Sequence, residues 1–166
     1  MATPTTLPAS FVSGAILTAD QMNNMRGAFR VLQIIEGTTS TAVSKTNSTY
    51  GDTGLTATIT PSATTSKILV IAYQNGLYKN AGNSSNSLGI QILRGATQIA
   101  EQTYIGFQGS AAQLYPGSVT MVALDSPASV AAQTYKTQFK NMASADGVTV
   151  QDSAMKSSII LFEISA

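Results

Sequence analysis

Two runs of the sequence decide the fold, Ile68-Leu69-Val70-Ile71-Ala72-Tyr73 and Ile159-Ile160-Leu161-Phe162-Glu163-Ile164. Both are rich in the β-branched and aromatic residues that favour strands. An antiparallel strand with one solvent-exposed face alternates apolar and polar residues. In these two runs both alternating faces are apolar. Such strands must be covered on both faces. In a fold of two layers the second cover comes from another subunit or from the N-terminal part of the chain, which is predicted to form an arm and a short helix. The sequence therefore predicts an oligomer.

The rest of the chain after residue 28 consists of short strand-like runs separated by turn residues. Arg94-Gly95-Ala96 and Asp146-Gly147 have the composition of hairpin turns. The predicted strands are Phe29–Glu36, Leu55–Thr60, Lys67–Tyr73, Leu88–Leu93, Thr97–Glu101, Ser118–Leu124, Gln133–Asn141, Val148–Val150 and Ser158–Ile164. These runs predict an all-β domain over residues 29–166, an antiparallel two-sheet sandwich of jelly-roll-like type.

Residues 1–28 are predicted to form a separate part for anchoring and oligomerisation, an extended arm followed by one short helix. The arm, residues 1–16, is either a disordered terminus or a segment that docks on a neighbouring subunit. Thr18-Ala19-Asp20-Gln21 is a capping box, and Gly27 limits the helix to two or three turns. The helix either plugs one end of the β domain or meets other helices around a symmetry axis. The candidate anchoring residues are Phe11, Leu17, Met22, Met25 and Phe29.

Composition narrows the possible function classes. Charged residues make up 10% of the chain, far below the roughly 25% of ordinary globular domains. The net charge is +1 and no two basic residues are adjacent, so the clustered Lys and Arg that bind nucleic acid are missing. The absence of Cys and His excludes thiol chemistry and removes the commonest general base. No secretory signal and no membrane-spanning segment are expected.

The eight acidic residues stand singly along the sequence. Glycosidase chemistry needs two carboxyls at a defined separation, and no pair stands out, so we expect no enzyme activity, no catalytic residue and no cofactor. Asp146, Asp152 and Asn141 offer oxygen atoms to Ca²⁺, but the regular spacing of a calcium loop is missing. A solvated hairpin loop is therefore expected there, without a metal.

Two polar loops have the composition of recognition loops, Asn75–Asn86 and Tyr104–Gly109. Tyrosine offers a large, rigid and amphipathic contact surface, and loops at the end of a sandwich often carry recognition. The candidate receptor contacts are Tyr78, Tyr104, Phe107 and Tyr115. The alternative is that these side chains cap the edge of the core while the loops are merely solvated.

The stretch Phe11–Asn23 resembles the N-terminal segment of many phage tail-fibre and minor structural proteins. Four further segments are similar to a recurring β module of tailed-phage virion proteins, namely Thr53–Pro61, Ser66–Val70, Ala132–Phe139 and Ser157–Ile164. The resemblance implies a virion protein, commonly homotrimeric, that is attached through its N-terminal part and displays a β-sandwich. It implies no catalytic residues. This chain departs from typical fibres because no long repetitive shaft separates the arm from the head.

The leading hypothesis is a short homotrimeric tail fibre or spike for host attachment, assembled in the host cytoplasm and located in the virion. Its partners would be other copies of itself, other virion proteins of the tail, baseplate or capsid, and a host cell-surface glycan. The alternative hypothesis is a capsid decoration or cement protein that stabilises the shell as a trimer. A third hypothesis is an enzyme that depolymerises host glycans, for which the sequence offers no catalytic pair.

Overall fold

The computed structural model describes residues 31–105, 110–112, 115–143 and 146–165, together with Gly14, Ile16, Thr18 and Ala19. The N-terminal arm and helix therefore lie almost wholly outside the described residues. The same holds for the candidate residues Phe11, Leu17, Met22, Met25, Phe29 and Phe107.

The described residues form ten β-strands and one short 3₁₀ turn, Asp152–Ala154. This confirms the all-β prediction and its antiparallel two-sheet arrangement. The strands are β1 (Val31–Thr39), β2 (Val43–Lys45), β3 (Gly51–Ile59), β4 (Lys67–Lys79), β5 (Leu88–Arg94), β6 (Thr97–Ile105), β7 (Gly117–Asp125), β8 (Gln133–Asn141), β9 (Val148–Val150) and β10 (Ser157–Ile164).

The strands form two sheets in which every pairing is antiparallel. The first sheet has the order β1-β10-β4-β9-β2, with β7 on the other side of β4. The second sheet has the order β3-β8-β5-β6. In the first sheet, β10 pairs with the beginning of β4 and β9 with its end, while β1 and β2 flank β10 and β9. Each sheet is therefore four strands wide.

Two sequence predictions about loops are wrong. The sequence predicts a loop over Asn75–Asn86, but strand β4 continues to Lys79. Tyr104 was also predicted to lie in a loop, but β6 continues to Ile105. In β4 the reason is a β-bulge between Asn75 and Leu77, which lets the strand continue through residues that otherwise indicate a turn.

The bulge depends on Gly76. This glycine has a φ of +62°, and a Cβ atom added to it would lie 2.5 Å from the backbone nitrogen of Asp152. Beside it, the backbone nitrogen of Gln151 donates to the carbonyl oxygen of Asn75 at 2.9 Å. Gln151 and Asp152, which connect β9 to β10, therefore pack directly on the bulge of β4. Only glycine fits at position 76.

The inner faces of the two sheets enclose one hydrophobic core. Its buried members have at most 7% exposed surface. The apolar periodicity of β3, β4 and β10 supplies one residue in two. The apolar residues with at most 1% exposed surface are Leu55, Ile59, Ile68, Val70, Ala72, Leu88, Ile90, Ile92, Tyr135, Phe139, Val148, Val150, Ile159 and Leu161.

A chain of buried polar groups crosses the middle of this core. The hydroxyl of Thr137 donates to the side-chain oxygen of Gln74 at 3.1 Å, so the 2.6 Å contact between Thr53 and Thr137 must have Thr53 as its donor. The amide nitrogen of Gln74 donates to the hydroxyl oxygen of Ser157 at 3.0 Å. Ser157 in turn donates to the amide oxygen of Gln151 at 3.1 Å. The network joins β3 and β8 to β4 and β10 across the two sheets.

We predict that Thr137→Val lowers the free energy of unfolding by about 1–3 kcal/mol, because the buried oxygen of Gln74 loses its donor. Thr134→Val on the same strand is the matched control, since the Thr134 side chain is exposed, and it should change stability by at most about 0.5 kcal/mol. Urea denaturation followed by circular dichroism measures both. Equal losses in the two variants would contradict the role given to the buried network.

Glu163 ties the beginning of β1 to β10 and to the β3–β4 connection. Its carboxylate is fully buried and accepts from the side-chain nitrogen of Gln33 at 2.6 Å. It also accepts from the backbone nitrogen and the hydroxyl of Ser62, both at 2.7 Å. Although burial alone raises the pKa of Glu163, the hydrogen bonds from Gln33 and Ser62 hold that pKa below its ordinary value of 4.5.

A lowered folded-state pKa means that Glu163 contributes stability above its unfolded pKa, and that this contribution is lost as the pH falls through the folded value. We predict that Glu163→Gln costs about 1–3 kcal/mol at pH 7, because the new amide nitrogen faces hydrogen-bond donors. The difference from wild type should narrow progressively below the ordinary glutamate pKa of 4.5. Urea denaturation at pH 7 and pH 3 tests this, with Glu36→Gln on the exposed side of β1 as the control. A difference that stays constant with pH would refute it.

Candidate assembly surface and distal loops

Strand direction gives the sandwich two different ends. Val31 pairs with Ile164, which pairs with Lys67, so the chain enters the described structure at the end where β4 begins. We call this the proximal end. At the other end of β4, Lys79 pairs with Val148. We call this the distal end, and the loops that follow β4, β6 and β8 all leave their strands there.

The outer face of the first sheet is apolar in its proximal half. One row of residues runs across all four strands as Ile34, Phe162, Leu69 and Leu124. The next row consists of Glu36, Ile160, Ile71 and Val122, and Tyr73 follows on β4. We define the proximal patch as these apolar residues, Ile34, Leu69, Ile71, Tyr73, Val122, Leu124, Ile160 and Phe162.

The proximal patch is open to solvent. Ile34 is 58% exposed, Val122 60% and Leu124 57%, and these three lie on the edge strands β1 and β7. All of the described strands belong to the two sheets, so none of them covers this face. The sequence predicted that β4 and β10 are apolar on both faces, and the structure confirms this: Ile159 and Leu161 are fully buried, whereas their neighbours face outward.

The same face becomes polar toward the distal end. There the hydroxyls of Ser44 and Thr149 lie 2.8 Å apart, and Thr149 is in register with Tyr78 on β4. On β7, Ser118 and Thr120 are exposed. The apolar surface is therefore confined to the half of the sheet nearest to the chain entry.

The outer face of the second sheet is polar, and its charges are paired within the chain. The Gln138 amide donates to Asp52 at 2.7 Å, and the Gln91 amide donates to Gln138 at 2.8 Å. Lys136 lies 2.9 Å from Asp52, and its hydrogen bond lowers the pKa of that carboxyl. A hydrogen bond from Tyr50 likewise lowers the pKa of Glu101. The outer face of the second sheet is therefore suited to contact with water, in contrast to the proximal patch.

Five carboxylates of the described residues have hydrogen-bond partners within the chain, namely Asp52, Glu101, Asp125, Asp152 and Glu163. Asp125 accepts from Arg94 and, at 2.7 Å, from the Tyr135 hydroxyl, and so joins β7 to the second sheet. Hydrogen bonds hold the pKa of Asp52, Glu101 and Glu163 below the ordinary values of these carboxyls, whereas a general acid at neutral pH needs a raised pKa.

The oxygen atoms considered for Ca²⁺ do not converge. The side-chain nitrogen of Asn141 donates to the backbone oxygen of Asp146 at 2.9 Å. Asp152 lies beyond the other end of β9, where its carboxylate accepts from Ser153 at 2.9 Å. Within the part of the chain that the structure describes, there is no group of three His, Cys, Asp or Glu residues able to hold a metal ion.

A buried lysine joins two distal loops. Lys79 has no exposed surface, and its ammonium group donates to the carbonyl oxygens of Asn83 at 3.1 Å and Ala111 at 3.4 Å. The backbone nitrogen of Gly82 donates to the carbonyl oxygen of Ser110 at 2.7 Å. The burial of Lys79 is not predicted from the sequence, because a single lysine beside a polar loop gives no signal of burial.

Three of the four candidate receptor residues are described, and all three lie toward the distal end. Tyr104 and Tyr115 are both 74% exposed. Tyr78 is half-buried on the outer face of β4, in a strand rather than in the predicted loop. Tyr104 and Tyr115 therefore fit a recognition role better than the alternative in which they cap the core, while Tyr78 fits it less well.

The comparisons with known proteins add no family. No protein-family model matches the chain, and no curated protein sequence matches it. In the described residues, no helix is long and apolar enough to cross a bilayer.

We predict that Lys79→Met loosens the distal loops, because two loop carbonyls lose a charged donor while the apolar stem of the side chain is kept. Amide hydrogen exchange over residues 80–87 and 110–112 should accelerate, and the free energy of unfolding should fall by about 1–3 kcal/mol. Lys156→Met, at an exposed lysine, is the control and should change neither quantity. Unchanged exchange in Lys79→Met would show that the ammonium group does not hold the loops.

Proposed function

We propose that this protein is a non-enzymatic structural module of a tailed-bacteriophage virion, a short homotrimeric tail fibre or spike that attaches the particle to its host. One observation carries the proposal: the chain enters at the proximal end, whereas the exposed Tyr104 and Tyr115 lie toward the distal end. The central strand β4 has 13 residues, which corresponds to about 43 Å. Anchor and contact surface are thus held apart by the length of a rigid strand.

In this proposal the sandwich is a jelly roll. If β1 with β2 and β9 with β10 each count as one strand, eight strands remain, in the orders 1-8-3-6 and 2-7-4-5. This order corresponds to two nested Greek keys, the jelly-roll arrangement found in viral capsid and lectin domains. A shared fold is only an analogy for function, and it supports the virion assignment together with the sequence resemblance.

The N-terminal part is proposed to be the anchor. Residues 1–28, with their predicted short helix, precede β1 and would bind the tail or baseplate. The proposed anchoring residues are Phe11, Leu17, Met22, Met25 and Phe29. Attachment to the host would come from many weak contacts multiplied by trimer symmetry and copy number. Exposed tyrosines suit such contacts with a cell-surface glycan, because their rings offer apolar area and their hydroxyls offer hydrogen bonds.

Antibodies against the purified protein should label the tails of intact phage particles in electron micrographs. Label distributed over the shell would instead identify the protein as a capsid decoration protein. Absence of label from intact and partly disrupted particles would overturn the virion assignment. The enzymatic alternative is tested separately by incubating the pure protein with host polysaccharide, whose mass we expect to stay constant.

We predict that the double variant Tyr104→Ala/Tyr115→Ala reduces the adsorption of phage particles to host cells by tenfold or more, on the order of what loss of multivalent contact produces. Val130→Ala is the matched control, because Val130 is 54% exposed but lies in the β7–β8 connection at the proximal end. Adsorption rates of particles that carry each variant measure the effect. Equal adsorption by the tyrosine variant and wild type would exclude these residues from the host contact.

A further inference from the structure

We infer that the distal end binds a neutral glycan and that the carboxylate of Asp146 accepts hydrogen bonds from its hydroxyl groups. The inference rests on the host attachment of the proposed function, and it names the class of ligand and the residue that selects it. It starts from the distribution of charge. The three loops that follow β4, β6 and β8 at the distal end, residues 80–87, 106–116 and 142–147, contain a single charged residue in sequence, Asp146.

Hydrogen bonds hold the backbone of Asp146 in place. Its φ of +57° lies in the left-handed region, which few residues other than glycine, asparagine and aspartate adopt. The side-chain nitrogen of Asn141 donates to its carbonyl oxygen at 2.9 Å, and the backbone nitrogen of Asn80 donates to the carbonyl oxygen of Gly147 at 2.9 Å. The carboxylate is therefore positioned before any ligand arrives, which lowers the entropic cost of binding.

The carboxylate of Asp146 is available to a ligand. Asp146 is exposed, and its carboxylate forms no hydrogen bond or ion pair with another described residue. It lies against the backbone of Gly82, where an added Cβ atom would overlap both carboxylate oxygens. A residue without a side chain at position 82 thus leaves the room that this carboxylate occupies.

Gly82 also connects the carboxylate to the exposed tyrosines. Its backbone nitrogen donates to the carbonyl oxygen of Ser110 at 2.7 Å, which lies in the loop between Tyr104 and Tyr115. On the second sheet, β5 separates the end of β6, which carries Tyr104, from the end of β8, which carries Asn141. These two strand ends are two strand spacings apart, about 10 Å. A short oligosaccharide can therefore contact a tyrosine ring and the carboxylate together.

This combination of groups matches the chemistry of an uncharged sugar. Hydrogen bonds from hydroxyl groups to a carboxylate are about twice as strong as those between neutral groups, and the two oxygens of Asp146 can accept from neighbouring hydroxyls of one sugar ring. The rings of Tyr104 and Tyr115 offer apolar area to the C–H groups of a sugar, and their hydroxyls offer hydrogen bonds. The exposed side chain of Asn80 adds an amide donor and acceptor.

The ammonium groups of the described distal lysines lie elsewhere. That of Lys79 is buried and donates to the carbonyl oxygens of two loops. That of Lys140 lies 4.4 Å from the centre of the Tyr50 ring and 3.9 Å from the carboxylate of Glu101. That of Lys45 lies against the first residue of β3. A uronate, sulfate or phosphate group would therefore meet a negative carboxylate without a compensating cation.

Binding of the full-length protein to host surface polysaccharide tests the inference. Anion exchange separates the polysaccharide into a neutral and an acidic fraction, and biolayer interferometry measures the binding of each to immobilised protein. Wild type should bind the neutral fraction, and its apparent affinity should change by less than about twofold between about 0.1 and 0.5 M NaCl, because a neutral ligand has no charge to be screened. Periodate, which cleaves vicinal diols, should abolish the binding.

Asp146→Asn should lower the apparent affinity for the neutral fraction by about tenfold or more, because the charge is lost and one acceptor oxygen becomes a donor. Asparagine readily adopts the left-handed conformation, so the variant should keep the circular dichroism spectrum and the melting temperature of wild type. Glu36→Gln is the matched control. The Glu36 carboxylate is also exposed and without an ion pair among the described residues, but it lies in the proximal half, so binding should be unchanged.

The outcomes separate this inference from the proposed function. Wild type that binds host cells but neither fraction, or that binds the acidic fraction at least as strongly as the neutral one, would overturn the inference and leave host attachment in place. Equal binding of the neutral fraction by Asp146→Asn and wild type would also overturn the inference alone. Failure of wild type to bind host cells would overturn host attachment and the inference together.

Discussion

The rest of the molecule depends on the burial requirement of one strand, β4. It pairs with β10, β9 and β7, and its side chains are apolar on both faces from Ile68 to Tyr73. Ile68, Val70 and Ala72 fill the core between the sheets, and burying such side chains is worth about 1.5–3 kcal/mol each for the larger ones. The opposite face, with Leu69 and Ile71, has the same chemistry and no second layer among the described strands. A sandwich of two layers satisfies only one side of this strand.

Polar groups fix the way in which the sheets pack, because apolar contacts alone are not directional. The Thr137–Gln74 hydrogen bond connects the sheets at mid-height, and the Arg94–Asp125–Tyr135 group connects them at the proximal end. A satisfied buried network favours one arrangement, whereas an offset by one residue would leave several groups without partners. Toward the distal end, the ammonium group of Lys79 connects two loops by donating to the carbonyl oxygens of Asn83 and Ala111.

Much of the fold could be predicted from the sequence because strand periodicity and turn composition are local signals. The hairpin at Gly95 and the strand that follows Gly147 were predicted at their observed positions. Strand β2 was missed, since three residues give no periodicity, and β4 was predicted too short because Gly76 resembles a turn. That glycine marks a bulge, and only the packing of Gln151 and Asp152 against it distinguishes the two cases.

The candidate site was harder to predict than the fold, for a physical reason. The sequence shows that β4 and β10 are apolar on both faces, but which apolar residues remain exposed depends on the strand order, and that is not a local property. Glu163 illustrates the same limit, because in sequence it interrupts an apolar run as an exposed carboxylate would. In the structure Glu163 points into the sandwich on the same face of β10 as Ile159 and Leu161. Its hydrogen bonds come from Gln33 and Ser62, which are distant in sequence.

The apolar surface of the first sheet is confined to its proximal half, whereas the exposed Tyr104 and Tyr115 lie toward the distal end. Near Gly76 the strand that pairs with β4 changes from β10 to β9. Beyond this point the outer face carries the polar pair Ser44 and Thr149, of which Ser44 is exposed. The bulge of β4 thus lies at the boundary between the apolar half and the polar half of this face.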